Sequence, residues 1–237
     1  MLDISIIVPA YNEEKILHKN FSVIYDGISK KFPHRCKFII VDSNSTDKTA
    51  FIAKKLAKKY RNTSYVNVNC NGKGGKISYV VGKCKTPYIG WIDSDLPLEV
   101  NEYCKLINEV ISNSVDIAIA SRYIKGSKTQ RKLLRLVLSR VYHYLVRSLF
   151  LISVYDSHMG AKFWNPKITK GIWPLVKGKN WFFDTELVYH TIKKGYKLVE
   201  VPVTFRDRND SRFNLIKDSL RIGYEMLKFR IKTLISK

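Results

Sequence analysis

In the first half of the chain, short apolar runs alternate with longer segments whose apolar residues recur at helical spacing. This alternation is typical of βαβ units and predicts an α/β fold with a mostly parallel, Rossmann-like sheet flanked by helices. Ser45 or Asp47 is expected to cap the second helix. The predicted strands are 4–8, 38–41, 65–68, 88–92 and 117–120, and the predicted helices are 12–31, 47–60, 74–83 and 98–112.

Polar, turn-rich segments follow the carboxyl ends of the predicted strands. They cover 9–13, 42–45, 71–76 and 93–95. In open α/β sheets, ligands bind in the crevice beyond the carboxyl ends of the strands. We therefore expect these four segments to form one ligand site.

The second half of the chain combines basic and apolar residues. Between residues 116 and 156 there is no acidic residue, and 133–155 is largely apolar. At about 100° per residue the arginines of this stretch do not share one face, which predicts two helical pieces or one helix contacted on both sides. Arg131 and Arg135 lie together, whereas Arg140 and Arg147 point roughly opposite.

The C-terminal segment carries a single apolar stripe flanked by basic residues. This pattern predicts an amphipathic helix that can lie on an anionic bilayer. The stripe consists of Ile216, Leu220, Tyr224, Leu227, Ile231 and Leu234, and its flanks are Lys217, Arg221, Lys228 and Lys232.

Length and charge limit the possible functions. A chain of 237 residues fits one α/β domain, 1–237. The formal charge of +22 indicates anionic surroundings: nucleic acid, an acidic membrane surface or phosphorylated substrates. The four cysteines lack paired spacing and are expected to be reduced, buried thiols of a cytosolic protein. No signal peptide and no transmembrane helix is recognisable, so we expect a cytoplasmic protein.

Two carboxylates provide the strongest candidate chemistry. Asp93 and Asp95 come directly after the apolar run 88–92, so both should project from a rigid strand end. Hard oxygen ligands at this spacing suit Mg²⁺ or Mn²⁺ shared with substrate phosphates. A solvated turn is the alternative for this pair taken alone. The neighbouring strand-end segments favour the metal site.

Two other strand ends have open interpretations. Asp42 could accept hydrogen bonds from a ribose hydroxyl or a base N–H, or it could cap the following helix. The segment 72–76, GKGGK, lacks the spacing of a P-loop or a dinucleotide fingerprint. A glycine turn before a helix can still place Lys73, Lys76 and backbone N–H groups near a diphosphate, and a plain surface turn is the alternative.

Eight motifs follow one another along the chain: IIVPAYNEE at 6–14, VDSNSTD at 41–47, GKGGK at 72–76, DSD at 93–95, ASRY at 120–123, DSHMGAKF at 156–163, WFFDTEL at 181–187 and EVPV at 200–203. In this order they resemble family 2 glycosyltransferases with the GT-A fold. The later ones are similar to the branch that glycosylates polyprenyl phosphates, namely dolichyl-phosphate mannosyltransferases and dolichyl-phosphate β-glucosyltransferases.

The resemblance implies a nucleotide-sugar-binding half over about 1–123 and an acceptor-binding half over 124–237. Asp93 and Asp95 would hold the metal and the diphosphate and, with Arg122, act in catalysis. The implied donor residues are Pro9, Tyr11, Glu13, Asp42, Lys76, Asp93, Arg208 and Arg212, and the implied acceptor residues are Arg122, Arg135, Ser139, Asp184 and Glu186.

The chain departs from the family pattern at three places. Ser43 replaces a second acidic residue, Pro97 stands where the mannosyltransferase branch often has a third metal ligand, and the loop 207–212 is short. The glycine segment and residues 219–230 look closer to the β-glucosyltransferase branch, which favours a UDP-sugar as donor; UDP-glucose and GDP-mannose both stay open.

The resemblance, together with the Asp93 and Asp95 pair and the basic second half, implies an inverting, metal-dependent transfer of a hexose to dolichyl or another polyprenyl phosphate. The protein would act peripherally on the cytoplasmic face of an anionic membrane, and nucleic acid is not expected as a partner. Two alternatives stay open: a transferase with a soluble sugar acceptor, and a basic nucleic-acid-binding module.

Overall fold

The computed structural model describes residues 3–70, 72–112, 114–207 and 215–235, with side chains in the last segment from 218 onward. The first half alternates strands and helices, as its apolar pattern predicts. Its elements are β1 (Ile4–Ala10), α1 (Leu17–Lys31), β2 (Cys36–Asp42), α2 (Thr49–Lys59), β3 (Thr63–Asn67), α3 (Gly72–Val81), β4 (Tyr88–Ile92) and α4 (Val100–Ile111).

The second half contains more strands than the sequence pattern predicts. Four short strands follow β5 within the described residues. The elements are β5 (Ile117–Ser121), β6 (Lys128–Gln130), α5 (Leu133–Phe150), β7 (Ala161–Trp164), α6 (Pro166–Gly171), a 3₁₀ turn (Trp173–Leu175), α7 (Phe183–Lys193), β8 (Leu198–Pro202), β9 (Thr204–Arg206) and α8 (Leu215–Ile235).

Seven strands form one sheet in the order β3-β2-β1-β4-β7-β5-β8. Strand β7 runs antiparallel to both of its neighbours, and the other pairs of this sheet are parallel. Strands β6 and β9 form a separate parallel pair. The expected α/β class with a mostly parallel sheet is therefore confirmed, and strands from both halves of the chain share the sheet.

The sheet separates two apolar layers. One layer joins α1 and α4 to the sheet, with Phe21, Phe38 and Tyr103 buried in it. The other layer is rich in aromatic rings, and Trp164 and Trp173 stack there at 5.1 Å between centroids. Because strands β1 and β4 are covered on both faces, their carboxyl ends are rigid supports for the loops that follow.

Two helix starts differ from the expected ones. Helix α1 begins at Leu17 instead of residue 12, because the side chains of Ser45, Asp47 and Thr49 accept hydrogen bonds from the backbone N–H groups of residues 12–14. The expected cap of α2 by Ser45 or Asp47 is wrong, since the N-cap position is Lys48. Asp47 still accepts a hydrogen bond from the Thr49 N–H at 2.9 Å.

Residues 133–150 form one continuous helix, so the two-piece alternative is wrong. Its arginines contact different parts of the chain: Arg135 pairs with Asp207 at 3.3 Å, and Arg147 lies 4.2 Å from the centre of the Tyr155 ring. Contacts on more than one side of a single helix therefore explain the scattered arginines.

The apolar stripe of α8 faces outward. Leu220, Tyr224, Leu227, Ile231 and Leu234 are each more than half exposed, whereas Ile222, Met226 and Phe229 are buried. Ile216 and Lys217 lie outside the residues whose side chains are described. None of the described helices combines the length and apolar character needed to cross a membrane.

The cysteines agree only in part with the expectation of buried thiols. All four are free, Cys36 and Cys104 are buried, and Cys70 and Cys84 are half-buried. Burial raises the pKa of the Cys36 thiol to about 12, which keeps it protonated.

Close packing between β4 and β7 leads to a stability prediction at Gly90. A Cβ atom there would lie 2.2 Å from Phe163 Cδ1 and 2.5 Å from the Lys162 carbonyl oxygen. Gly90→Ala should lower the free energy of unfolding by about 1–3 kcal/mol in urea denaturation. Gly223→Ala is the matched control, because a Cβ on this α8 residue meets nothing within 4 Å and should stabilise by up to about 1 kcal/mol. Unchanged stability of Gly90→Ala would contradict the packing.

Candidate functional site

A cleft of about 1190 Å³ lies at the carboxyl ends of the parallel strands. The four strand-end segments predicted to form a ligand site do converge there, although residue 71 lies outside the described residues. The cleft walls come from residues between 9 and 16, Ser43, Asn44 and Asp47, from Gly72, Lys73 and Lys76, from 93–95, from Asn180 and Trp181, and from Asp218 and Arg221 of α8.

The loops after β1 and β2 are joined by side-chain to backbone hydrogen bonds. The Asn12 N–H donates to Ser45 Oγ at 2.8 Å, and the Glu13 N–H donates to Thr49 Oγ1 at 2.6 Å. Asn12 has φ of 51°, a conformation that asparagine tolerates better than most residues. These bonds leave the Tyr11 ring half exposed at the cleft, beside Pro9.

Asp42 is buried behind the residues that line the cleft. Its side chain is 1% exposed, and Oδ1 accepts the Ser45 hydroxyl at 2.5 Å. It is not the helix cap, because α2 begins seven residues later at Thr49. The neighbouring Ser43 and Asn44 line the cleft instead.

Asp93 and Asp95 lie on the cleft wall directly after β4. The antiparallel neighbour makes room for the first carboxylate: the Asp93 N–H donates to the Gly160 carbonyl at 3.1 Å, and a Cβ at Gly160 would collide with Asp93 Oδ2. A glycine at 160 is therefore required by the position of Asp93. The Pro97 carbonyl accepts a hydrogen bond from the Arg206 N–H at 3.3 Å, so Pro97 contributes a structural contact to the backbone.

The two carboxylates on the cleft wall fit a divalent ion that is shared with a substrate. Within the described ranges, no group of three or more His, Cys, Asp or Glu side chains could hold a metal. Two carboxylates on one wall match the way proteins hold Mg²⁺ or Mn²⁺ when phosphates and waters complete the coordination. The Asp93 carboxylate already attracts a cation, since Lys73 Nζ lies 2.6 Å from its Oδ1.

Lys73, which the sequence pattern places near a diphosphate together with Lys76, lines the cleft, but its contact with Asp93 was not predicted. Its ammonium contacts Asp93 and lies 5.8 Å from the centre of the Trp91 ring and 6.0 Å from that of Phe183. The GKGGK segment was the available signal. The choice between Lys73 and Lys76 depends on the start of α3, which the structure places at Gly72.

Lys76 points toward the neighbouring strand end. Its Nζ donates to the Ala10 carbonyl at 2.9 Å and lies 5.6 Å from the centre of the Tyr11 ring. The residue is buried, and burial lowers the pKa of its ammonium to about 8, with Asp42 acting in the opposite direction. Lys76 is therefore a buried hydrogen-bond donor on the side of the cleft that carries Pro9 and Tyr11.

Asp184 and Glu186 are buried supports behind the cleft. Asp184 Oδ1 accepts Lys162 Nζ at 2.5 Å, and both side chains are almost completely buried. Glu186 Oε2 accepts the Gly178 N–H at 2.6 Å, which anchors the loop that leads to Trp181. Burial raises the pKa of both carboxyl groups above their ordinary values.

The other three residues expected to bind the acceptor, Arg122, Arg135 and Ser139, lie on or near α5 and outside the cleft wall, whereas Asp184 and Glu186 belong to α7. The Arg122 guanidinium donates two hydrogen bonds to Asp156, from Nε to Oδ2 at 2.6 Å and from Nη2 to Oδ1 at 2.8 Å, and the Arg122 backbone N–H donates to Oδ2 at 3.0 Å. Burial alone would raise the pKa of Asp156, but the Arg122 guanidinium holds this pKa well below its usual range. Ser139 Oγ accepts the Tyr123 hydroxyl at 2.7 Å. Arg135 and Arg131 share the Asp207 carboxylate, at 3.3 and 3.4 Å.

One expectation and one unexpected contact concern the cleft rim. Arg208 and Arg212, expected over the diphosphate, lie outside the described residues. Asn180 donates from Nδ2 to Glu225 Oε1 of α8 at 2.7 Å, which ties the α8 helix to the cleft rim. No signal in the sequence indicates this pairing of distant residues.

The shifted pKa of Lys76 leads to a pH prediction. Its folded-state pKa of about 8 lies below the unfolded value of 10.5, so between these values the unfolded chain binds more protons and stability rises with pH. Relative to Lys76→Met, the wild type should gain free energy of unfolding between pH 8 and 10.5. Urea denaturation of both proteins across this range measures the difference, in which other titrating groups cancel. A difference that stays constant with pH would contradict the shift.

Comparison with known proteins identifies the family of the chain. The family model described as glycosyl transferase family 2 matches residues 5–172. The dolichyl-phosphate beta-glucosyltransferase of Saccharomyces cerevisiae is 24% identical over 98% of the chain and 75% of that protein, and the one from Mus musculus is 27% identical over 98% and 76%. Glycosyltransferase AglD of Haloferax volcanii is 25% identical over 96% of the chain, which spans only 37% of that longer protein.

Solved structures share the fold. Glucosyl-3-phosphoglycerate synthase from Mycobacterium tuberculosis, in complex with Mn²⁺, uridine-diphosphate and phosphoglyceric acid, superposes with a TM-score of 0.71 at 15% identity, over 97% of this chain and 78% of that one. Mannosyl-3-phosphoglycerate synthase from Rubrobacter xylanophilus gives 0.68 at 13% identity, over 98% and 74%. The expected GT-A fold is thus confirmed, and the chain is a glycosyltransferase that belongs to glycosyl transferase family 2.

Proposed function

We propose that this glycosyltransferase moves a hexose from a nucleotide-sugar to dolichyl or another polyprenyl phosphate, with inversion at the anomeric carbon, at an anionic membrane surface. The observation that carries the proposal is the pair Asp93 and Asp95 on the wall of a large cleft at the strand ends. The names of the relatives support a polyprenyl phosphate as acceptor and glucose as the sugar, and hence UDP-glucose before GDP-mannose.

The chain's own residues suit the binding of a nucleoside diphosphate sugar. Tyr11 offers a half-exposed ring to a base beside Pro9, and Lys76 holds the backbone under that ring. Asp93 and Asp95 would hold a Mg²⁺ or Mn²⁺ ion. When bound, the ion supplies charge neutralisation on the leaving diphosphate.

The transfer needs no general base from the protein. A phosphate monoester has a second pKa of about 6 and is largely ionised at neutral pH. One of its oxygens attacks the anomeric carbon, the bond from that carbon to the diphosphate oxygen breaks, and the nucleoside diphosphate leaves with the electron pair. The protein's task is to position two anions against each other and to compensate their charge.

The arginines near α5 could supply the positive charge for the acceptor phosphate. Arg122 is already neutralised by Asp156, so it is better suited to hold the local structure than to bind a phosphate. Arg131 and Arg135 share the single carboxylate of Asp207 and retain a net positive charge. These two arginines are therefore the stronger candidates.

Two exposed apolar faces support action at a membrane. Helices α5 and α8 pack against each other, and each leaves apolar residues exposed. Exposed apolar surface of this extent marks an interaction site, and nearby basic residues favour an anionic bilayer. The α5 face contains Leu133, Leu134, Val137, Val141 and Tyr144, and the α8 face contains Leu220, Tyr224, Leu227, Ile231 and Leu234.

A transfer assay tests the chemical proposal. The protein is incubated with UDP- and GDP-sugars, Mg²⁺ or Mn²⁺ and a polyprenyl phosphate, and glycolipid product is measured. Asp95→Asn should reduce transfer by at least about 100-fold, because losing one charged ligand removes several kcal/mol of charge stabilisation. Asp26→Asn is the control, since Asp26 is an exposed carboxylate on α1 outside the cleft. Full activity in EDTA would refute the metal site, and product formed only with a soluble acceptor would refute the lipid acceptor.

Liposome co-sedimentation tests the membrane proposal. Replacing Leu227 and Ile231 with glutamate should weaken binding to anionic liposomes at least about tenfold, because two exposed apolar side chains lose their burial in lipid. The control replaces Val23 and Phe51, which are exposed apolar residues of α1 and α2, with glutamate. Equal binding by both variants would show that the α8 face is not the contact. Tight, salt-dependent binding to RNA or DNA without lipid binding would favour the nucleic-acid alternative.

A further inference from the structure

Charges of alternating sign form a line that runs from the cleft wall into the interior of the fold. Lys162 Nζ lies 2.5 Å from Asp184 Oδ1, and Asp184 Oδ2 lies 4.0 Å from Lys73 Nζ. Lys73 Nζ in turn lies 2.6 Å from Asp93 Oδ1. The ammonium of Lys73 thus has a carboxylate on each side, one on the cleft wall and one buried.

The backbone that carries Lys73 is held firmly. The Gly75 N–H donates to the Lys179 carbonyl at 3.0 Å. Gly72 has φ of +76°, and a Cβ there would lie 2.2 Å from the same carbonyl oxygen, so only glycine fits. With the backbone fixed, rotation of the side chain is what can move the Lys73 ammonium.

The surroundings of Lys73 keep its ammonium in this position. The side chain is 11% exposed and passes the rings of Trp91 and Phe183. A largely buried ammonium costs several kcal/mol unless a carboxylate accompanies it. Asp93 and Asp184 are the two carboxylates within 4.0 Å of Nζ among the described residues.

We propose that Lys73 is a tethered cation which occupies the Asp93 carboxylate while no divalent ion is bound, and that Asp184 receives its ammonium when the ion enters. The inference rests on the proposed metal site at Asp93 and Asp95. The Lys73 ammonium lies 2.6 Å from Asp93 Oδ1 and lines the same cleft, so it occupies an oxygen that an incoming cation would need. When the Lys73 ammonium moves toward Asp184 Oδ2, Asp93 Oδ1 becomes free for the ion. Lys73 is then paired with Asp184, and Asp93 is paired with the ion.

This exchange lowers the affinity of the cleft for a bare metal ion. A divalent ion alone must displace Lys73, whereas an ion that arrives with a diphosphate brings anionic oxygens as well. The site therefore favours the metal together with the nucleotide over the metal alone. Lys73 is a positioning residue for the metal-binding carboxylate.

Mn²⁺ titration followed by electron paramagnetic resonance, without nucleotide, tests the competition. Lys73→Met should bind Mn²⁺ about tenfold more tightly than the wild type, because a competing positive charge within hydrogen-bond distance is gone. If the methionine variant does not fold, Lys73→Gln replaces it. Glutamine keeps a hydrogen-bond donor but has no charge, so this variant should also bind Mn²⁺ about tenfold more tightly. Lys179→Met is the control, since it removes an exposed lysine from the adjacent loop and should leave the affinity within about twofold.

Crystal structures with and without Mg²⁺ test the second half of the proposal. With the ion bound, Lys73 Nζ should lie within hydrogen-bond distance of Asp184 Oδ2, closer than the present 4.0 Å, and should have left Asp93 Oδ1. Unchanged or weaker Mn²⁺ binding by the Lys73 variants overturns the competition. A Lys73 that stays on Asp93 at full metal occupancy overturns the transfer to Asp184.

Neither readout depends on sugar transfer. If the wild type makes glycolipid but Lys73→Met binds Mn²⁺ like the wild type, the inference fails and the proposed function stands. If Mn²⁺ competition is observed but no sugar is transferred to any acceptor, the proposed function fails and the inference stands.

Discussion

Paired charge in a buried region is the interaction on which this site depends. Asp184 and Lys162 lie inside the fold with almost no exposure, and an unpaired charge there would cost several kcal/mol. Each therefore requires the other, and the pair in turn supports the wall that carries Asp93. The same principle operates at Arg122 and Asp156, where a buried bidentate pair joins the end of β5 to the segment after α5.

The topology places these charges together. Because β1, β2 and β4 are parallel neighbours, their carboxyl ends meet at one edge, and the loops there can bind one another as well as a ligand. The antiparallel strand β7 brings the opposite end of its own segment to the same place, so Gly160 lies beside Asp93. One reversed strand thus adds a backbone contact that a purely parallel sheet would not supply.

Much of this was readable from the sequence, and the limits have physical causes. The strand-end segments and the place of Asp93 followed from periodicity, since long apolar runs buried on both faces leave a clear pattern. Strand β7 was missed because Lys162 interrupts a four-residue apolar run, and its burial makes sense only once Asp184 is known to lie against it. The pairing of Asn180 with Glu225 depends on tertiary structure alone.

Helix α5 illustrates a different limit. Its arginines are scattered around the axis, which suggested a break, but the partners Asp207 and Tyr155 come from separate parts of the chain. Charged residues scattered around a helix can therefore indicate contacts with several parts of the chain as readily as a break in the helix.

The outward apolar faces of α5 and α8 have a consequence for the chain in water. Such surfaces attract one another, so two molecules that meet with these faces uncovered gain free energy by associating. A net charge of +22 opposes the encounter, since like-charged molecules repel over about a Debye length. Raising the salt concentration removes that repulsion while leaving the apolar attraction in place, so the solubility of this protein should fall as ionic strength rises.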